Sequence, residues 1–396
     1  MGLLVQPRAW SRSVVRRATL GVVYALSLPG VLAGQRPQPQ LVAALVARVD
    51  GSAENLTPIT ALAIQPDGTI MAAQPQDGLI RMFTAAGRAA GSFGRAGEGP
   101  KEFRWINTMG WVAETLWVND DMQHRVTYLA GGKTFLRTEP MPRLPELDPG
   151  GKSVPRVSDF GPVALLPGGW SLRSGLAERN EQPPAWKTIV RGTEVFSRVS
   201  PSGGFDRVVA AVLGPATQCK DRKLGVPIPE CGGALWAVAS TGGRIGVALP
   251  VVRDRRSPQV RLILISAQGD TITDHVYPIH AIPLSSRSAD SIRTDRINNS
   301  HSAAAIAGWK AVKIPPYFRP FEFLVVGREG SLWLGQHADK GERAWLVVGP
   351  TGVTRGTVML PGGVRIQIAD GDDIWGTTDD EDDVESIVHY RIRQGR

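Results

Sequence analysis

The stretch Gly91–Tyr128, GSFGRAGEGPKEFRWINTMGWVAETLWVNDDMQHRVTY, decides the fold. It starts at the end of one small β-unit, crosses on a glycine-rich run, and continues through most of the next unit. Upstream, ITALAIQ, TIMAAQ, LIRMFTA and RAAGSF are four short apolar-alternating runs between Ile59 and Phe93, separated by Pro66-Asp67-Gly68, Gln76-Asp77-Gly78 and Ala86-Gly87. Asp-Gly pairs between alternating runs signal hairpins, so the unit reads as a four-stranded antiparallel meander. Downstream the plan repeats at Ile106–Val112, Thr115–Val118, Arg125–Leu129 and Thr134–Arg137. Leu116-Trp117 takes the place of Ile70-Met71, a step of 46 residues.

Working outward, the third unit is noisier. It fits one hairpin through Pro167-Gly168-Gly169 and a second through Ser202-Gly203-Gly204, with a Pro-containing connection at Glu181–Trp186 between them. A fourth unit has strands near Leu235–Ala239, Arg244–Leu249, Val260–Ser266 and Thr271–Tyr277. A fifth runs through FEFLVVG, SLWLGQ, AWLVVG and VTRGTVML. A sixth begins VRIQIAD and continues through IWGTT and SIVHYRI. Leu332-Trp333 and Ile374-Trp375 stand 42 residues apart and align with Leu116-Trp117. A period of about 40–50 residues with four strands per repeat is the signature of a β-propeller. The sixth unit stops after three strands. Its fourth is available at Leu41–Val49, LVAALVARV, an apolar run without a nearby hairpin partner that suits a buried strand. The expected fold is therefore all-β: a six-bladed propeller of four-stranded antiparallel blades closed by the N-terminal strand, with seven blades if the third region hides another. Between the fourth and fifth units, Ile282–Tyr317 has no strand pattern. Ser288–Ile297 within it predicts a short helix started by Ser288.

Phe93–Phe103, FGRAGEGPKEF, resembles the inter-blade crossing of NHL-repeat propellers. Trp117-Val118-Asn119-Asp120 and Gln123-His124-Arg125-Val126 stand where that family has its aliphatic-aromatic-V-x-D strand and N-H-R-[IV] turn, with Gln123 replacing the usual Asn. The chain also resembles secreted six-bladed propellers of environmental bacteria, whose closing blade is similar to Asp370–Ile392. The strict motif covers about one blade and the looser pattern most of the chain. The resemblance implies that Asp120, His124 and Arg125 tie neighbouring blades. It also implies a binding platform for protein, RNA or peptide, with a few lyases and lactonases among its relatives.

Residues 1–33 carry Arg8, Arg12, Arg16 and Arg17, no acid, an apolar run Ala18–Leu28 and a Val31-Leu32-Ala33 end. That pattern describes a secretory signal, too short in its apolar part to span a bilayer. A Gln/Pro linker (34–40) and a single propeller domain (41–396) with an insertion at about 282–317 follow. The expected locations are periplasm or cell exterior, with no transmembrane segment after signal removal and a monomer as the oligomeric state. Four of the arginines behind the formal charge of +8 lie in the signal, so the remainder is only mildly basic, densest at Arg253–Arg256. No basic stripe suits nucleic acid. The two cysteines, Cys219 and Cys231, share one loop, and in an oxidising compartment they are expected to form a disulfide.

Concentrated chemistry is not apparent. GRAGEGP lacks the Gly-Lys-Ser/Thr and following helix of a phosphate loop, and its glycines read as a tight crossing. No G-x-S-x-G setting occurs. The histidines are scattered: His124 in the second unit, and His275, His280, His301, His337 and His389 in later units or the insertion. Asp120 with His124, and Asp380 with Asp382 in the run Asp379–Asp383, are the candidate metal ligands, although the spacing is not that of an EF-hand. Trp117, Trp333 and Trp375 read as inter-blade core. The resulting expectation is a binding module for a protein, peptide or glycan with no assigned catalytic residue or cofactor, a divalent metal being allowed. The alternative is a lactonase-like or amidating-lyase-like, metal-assisted enzyme using the central channel, which needs at least three channel-facing His/Asp/Glu/Asn side chains from different blades.

Overall fold

The computed structural model describes residues 39–141, 157–177, 192–214, 219–221, 223–251, 256–339 and 341–395. The expected signal, the 181–186 connection and most of the Arg253–Arg256 spot lie outside them. The chain folds into an all-β, propeller-like arrangement. The first sheet contains β2 (Ala61–Ile64), β3 (Ile70–Gln74), β4 (Leu79–Phe83) and β5 (Ala89–Gly94); the second contains β6 (Ile106–Val112), β7 (Thr115–Asp120), β8 (Arg125–Ala130) and β9 (Thr134–Pro140). The third contains β10 (Val157–Leu165), β11 (Ser171–Ala177), β12 (Thr193–Val199) and β13 (Phe205–Leu213); the fourth contains β14 (Leu235–Val238), β15 (Arg244–Val251), β16 (Gln259–Ser266) and β17 (Thr271–Pro278). All four are antiparallel meanders, most of whose strands are joined by hairpin turns of two to five residues.

The remaining strands are β18 (Phe323–Val326), β19 (Leu332–Asp339), β20 (Glu342–Val348), β21 (Thr354–Pro361), β22 (Arg365–Asp370), β23 (Asp373–Asp379), β24 (Glu385–Gln394) and β1 (Gln40–Val49). They form one eight-stranded sheet in the order β18-β19-β20-β21-β1-β24-β23-β22. β1 lies antiparallel to β24 from Leu41↔Gln394 to Val49↔Ile387, with a bulge between Leu45 and Ala47. It touches β21 in parallel at only two pairs, Gln40↔Thr357 and Leu41↔Val358, and this short seam fuses two four-stranded halves. The apolar run expected to be a buried strand is instead an outer one. Leu41 and Val49 are buried, whereas Val42, Leu45 and Val46 stand about half exposed. Its pairing follows from the need to cover an open edge, and its apolarity is not explained by burial.

Apolar side chains interleave between consecutive sheets and return to the start. Phe103, Ile106 and Leu116 join the first sheet to the second, Phe196 and Ile245 the third to the fourth, and Leu324 and Leu262 the fourth to the β18–β21 half. Trp333 and Ile374 join the two halves, and Trp375 with Ile64 and Phe83 joins the last half to the first sheet. The repeated tryptophans are therefore inter-sheet anchors: Trp117, Trp333 and Trp375 are all buried. Each such side chain contributes about 1.5–3 kcal/mol by leaving water.

One end of the ring is clasped by an arginine. Arg328, in the tight turn between β18 and β19, donates Nη1 to Asp370 Oδ2 at 3.2 Å and Nη2 to the buried Ile64 carbonyl, while its amide donates to Ala369 O at 2.9 Å. Arg244 Nη1 from the fourth sheet donates to the Arg328 carbonyl at 2.9 Å. One turn thus links the fourth sheet, both halves of the large sheet and the first sheet.

Candidate functional site

Meander geometry separates the loops. Turns from first to second and from third to fourth strand emerge at one end of each sheet; turns from second to third strand and the crossings to the next sheet emerge at the other. The first group is tight, as at 65–69, 84–88 and 327–331. The second group holds the long connections: 95–105, 214–234 and 279–322. Arg328 lies at the tight-turn end, so elaboration is concentrated on the opposite face. Loops built on a rigid scaffold are where recognition is usually carried.

The glycine-rich crossing belongs to this face and is structural. Asp120 is fully buried at the end of β7. Its carboxylate accepts from the amides of Arg104 (2.8 Å), Trp105 (3.2 Å) and Gln123 (3.1 Å), and from Gln123 Nε2 (2.6 Å). Arg125 donates to the carbonyls of Glu98, Gly99 and Glu102 at 2.7–2.9 Å. His124 adopts φ +49° and is exposed. Asp120 is thus committed to backbone donors and His124 stands apart from it. Asp380 likewise accepts from the amides of Asp382 and Val384 at 3.0 and 2.9 Å, and these bonds, the Val384 one foremost, hold its carboxyl below the usual range. Asp382 is exposed in the same turn. The four candidate ligands are divided between two turns. Among the described residues no group of three or more His, Cys, Asp or Glu is placed to hold a metal ion.

The most elaborated part of the face lies over the fourth sheet. Cys219 and Cys231 are joined in a disulfide with Cα atoms 5.6 Å apart. The insertion forms two helices, α2 (Ser286–Asn298) and α3 (Ala303–Ala311), after the four-residue α1 (Gly51–Glu54) near the N-terminus. Ser285 and Ser302 cap α2 and α3 through the amides of Ser288 and Ala305. The α2 cap is three residues earlier than the sequence suggested. Trp309 and Val312 pack on Val226 of the disulfide loop, and the Gly308 backbone closes on it so nearly that a Cβ there would lie 2.7 Å from Val226 Cγ1. Disulfide loop and insertion form one local core.

Where this core meets the ring there is a slot lined by Glu230, Cys231, Pro250, Pro258, His280 and Phe318, among others, enclosing about 30 Å³. Glu230 accepts from the Arg319 amide and Nε at 3.1 Å and from its Nη2 at 3.2 Å. Burial alone raises the Glu230 carboxyl, but these donors outweigh it and hold it below its ordinary value. Phe318 stacks on His337 with ring centres 3.6 Å apart. His337 Nδ1 lies 2.7 Å from Glu322 Oε1, and Glu322 Oε2 accepts from Arg343 Nη1 at 2.5 Å. Gln336 Nε2 donates to the His280 carbonyl at 3.0 Å. Glu322 thus holds the imidazole ring in place through Nδ1 while its other oxygen is held by Arg343. Sequence reasoning missed this cluster because Glu322, His337 and Arg343 meet only through the pairing of β18, β19 and β20; no local motif marks them.

No family model matches the chain, and no curated protein matches it. Solved structures of similar outline exist at low identity. A DUF4221-family member from Bacteroides vulgatus is 9% identical, with 90% of this chain and 98% of that one covered and a TM-score of 0.43. The PQQ-bound aldose sugar dehydrogenase of Streptomyces coelicolor is 11% identical over 90% and 100% of the chains, with a TM-score of 0.42. The calcium-binding protein regucalcin from Agrobacterium tumefaciens is 12% identical over 90% and 97%, with a TM-score of 0.39.

Proposed function

We infer that the chain is an exported six-bladed β-propeller, the eight-stranded sheet counting as two blades closed by β1, and that it binds a protein or peptide through its loop-bearing face. Residues 1–33 act as the signal, and the domain works as a monomer. The observation that carries this reading is the slot over the fourth sheet. At about 30 Å³ it admits two or three waters or one partner side chain, not a free metabolite. Its rim of Pro250, Pro258, Pro320, Tyr317 and Phe318 is apolar and stiff, so an anchor entering it costs little ordering of the receptor. Anchors buried in such pockets dominate macromolecular recognition. The disulfide and the helix-to-loop packing preorganise the slot, and exposed loops outside the cell benefit from that bond.

Selection of a displayed random-peptide library on the full exported chain tests this reading. The expected result is a family of peptides sharing one apolar or aromatic anchor, whose affinity falls tenfold or more on Phe318→Ala. Enriched peptides that bind Phe318→Ala as tightly as wild type overturn it.

The Glu322–His337 pair supports a second reading as a hydrolase or lyase, since a carboxylate-oriented imidazole is a competent general base. Under it, His337→Asn abolishes turnover of a lactone or ester panel with the fold retained.

A further inference from the structure

One wall of the slot is held from behind by a titratable group. Phe318 lines the slot, and its backbone is fixed by its amide donating to Ile282 O at 2.9 Å and by the bridge between Pro283 and Tyr317. Its ring lies against His337 with centres 3.6 Å apart and planes 10° from parallel. Carbon atoms pack at about 3.5–4.0 Å, so this separation leaves almost no lateral offset between the rings. Two neutral aromatic rings avoid such a sandwich because their negative faces oppose each other; they prefer offset or edge-to-face contacts with centres about 4.5–7 Å apart. A cation over the same face is attracted to it. The stack suits an imidazolium better than a neutral imidazole.

β19 places the imidazole there through a bulge. Gly335 pairs with Trp345 and Ala338 with Arg343, so Gln336 and His337 together oppose the single residue Ala344. A bulge re-aims the side chains it carries. This one is pinned on both sides: Arg343 Nη1 donates to Gln336 O at 2.5 Å, and Gln336 Nε2 donates to the His280 carbonyl. The charges around the ring balance. Glu322 on β18 lies 2.7 Å from Nδ1, and Arg343 on β20 pairs with its other oxygen. Glu230 and Arg319 pair with each other, and act electrostatically on His337 and Glu322 respectively. Two carboxylates thus face two guanidiniums, and the carboxyl of Glu230, held below its ordinary value of 4.5, keeps its charge above that pH. The His337 side chain is 27% exposed, so protons reach it from solvent. Between about pH 5 and 8 the charge that changes at this cluster is that of an imidazole: His337 itself, or His280 in the slot lining.

We propose that His337 is a pH-dependent latch on the slot: protonated, it pins Phe318 in place, and neutral, it releases the ring. Its effect on binding presupposes that the slot is the recognition site. With the imidazole charged, the stack on Phe318 and the bond to Glu322 act together, and an entering anchor meets a preorganised wall. With the imidazole neutral, the sandwich loses its attraction and the wall must be ordered by the partner. Both contacts favour the charged form. Their contribution is therefore full at the acid end and is lost as pH rises through the imidazole titration.

A double-mutant cycle on the full exported chain, with no peptide present, tests the latch apart from the slot. Wild type, Phe318→Leu, His337→Gln and the double variant are unfolded in urea at about pH 5.5 and about pH 8, either side of the imidazole range. Phe318→Leu keeps an apolar side chain and removes the π-face. The coupling between the two positions, read as a factor in the folding equilibrium constant, is expected to be about threefold or more larger at the acid pH. A display-enriched peptide free of His, Asp and Glu, capped at both ends, then reads the consequence. Wild-type affinity should fall about threefold or more between the same two pH values, His337→Gln should bind equally at both, and His280→Gln should retain the wild-type dependence. Coupling that is equal at the two pH values overturns the proposal, as does a pH dependence of affinity that survives His337→Gln. A pH-dependent coupling in a chain that enriches no peptide upholds the latch and counts against the slot as the recognition site.

Discussion

Arg328 offers the sharpest energetic test of ring closure. Substitution by Met keeps most of the side-chain stem and removes the guanidinium. Two bonds are lost. The Asp370 contact involves a carboxylate with 44% side-chain exposure and is solvent-screened, so its share is about 0–1 kcal/mol. The Ile64 carbonyl belongs to a residue 2% exposed; a bond from a charged donor to such a group is worth about 1.5–3 kcal/mol. The backbone links to Ala369 and Arg244 survive. The expected loss is therefore about 2–3 kcal/mol, nearly all from the bond across to the first sheet. Urea unfolding followed by tryptophan fluorescence reads it as a lower midpoint at unchanged slope. Asp370→Asn should cost less than about 1 kcal/mol in the same assay. A loss below about 0.5 kcal/mol for Arg328→Met, or equal losses for the two variants, would refute the assignment of the clasp to the Ile64 bond.

Three further predictions concern single features. Gly78 sits at φ +62° with a would-be Cβ 2.5 Å from Ala96 Cα and 2.6 Å from Phe103 O, so Gly78→Ala should destabilise by about 2–3 kcal/mol in urea unfolding. Replacing both Cys219 and Cys231 by Ser should cost up to about 3 kcal/mol by chain entropy, read as lost amide protection first in 219–231 and in α3. Glu230 has a folded pKa lowered by its Arg319 bonds. Its contribution is full above the ordinary carboxylate value of 4.5 and is lost as pH falls through the lowered value; Glu230→Gln should flatten the acid limb of thermal stability and leave the neutral limb nearly parallel.

Much of the fold is legible in the sequence because its signals are local. Asp67-Gly68, Pro167-Gly168-Gly169 and Gln268-Gly269-Asp270 lie at turns between paired strands, and Leu116-Trp117, Leu332-Trp333 and Ile374-Trp375 occupy equivalent second-strand positions. The three-stranded end of the chain pointed to Leu41–Val49 as the missing partner, and β1 does pair with β24. What that run could not show was its exposure: Val42, Leu45 and Val46 look like core by composition, and only their position on an outer strand leaves them in water. The site was harder. Asp120 and Asp380 attract attention as carboxylates in turns, yet each is used by nearby amides. Glu322, His337 and Arg343 become neighbours through strand register, a long-range property that spacing alone does not encode. Helix α3 was likewise silent, since its Ala-rich face is defined by Val226 of a loop far along the chain.

On this account, recognition takes place on the loop-bearing face, at the slot over the fourth sheet. Hydrogen exchange read by mass spectrometry, with and without a peptide enriched by display, tests it most directly. Binding should protect 219–231, 256–259 and 279–320 and leave the tight-turn end around Arg328 unchanged; protection confined to the tight-turn end, or to the outer strand β1, would contradict it.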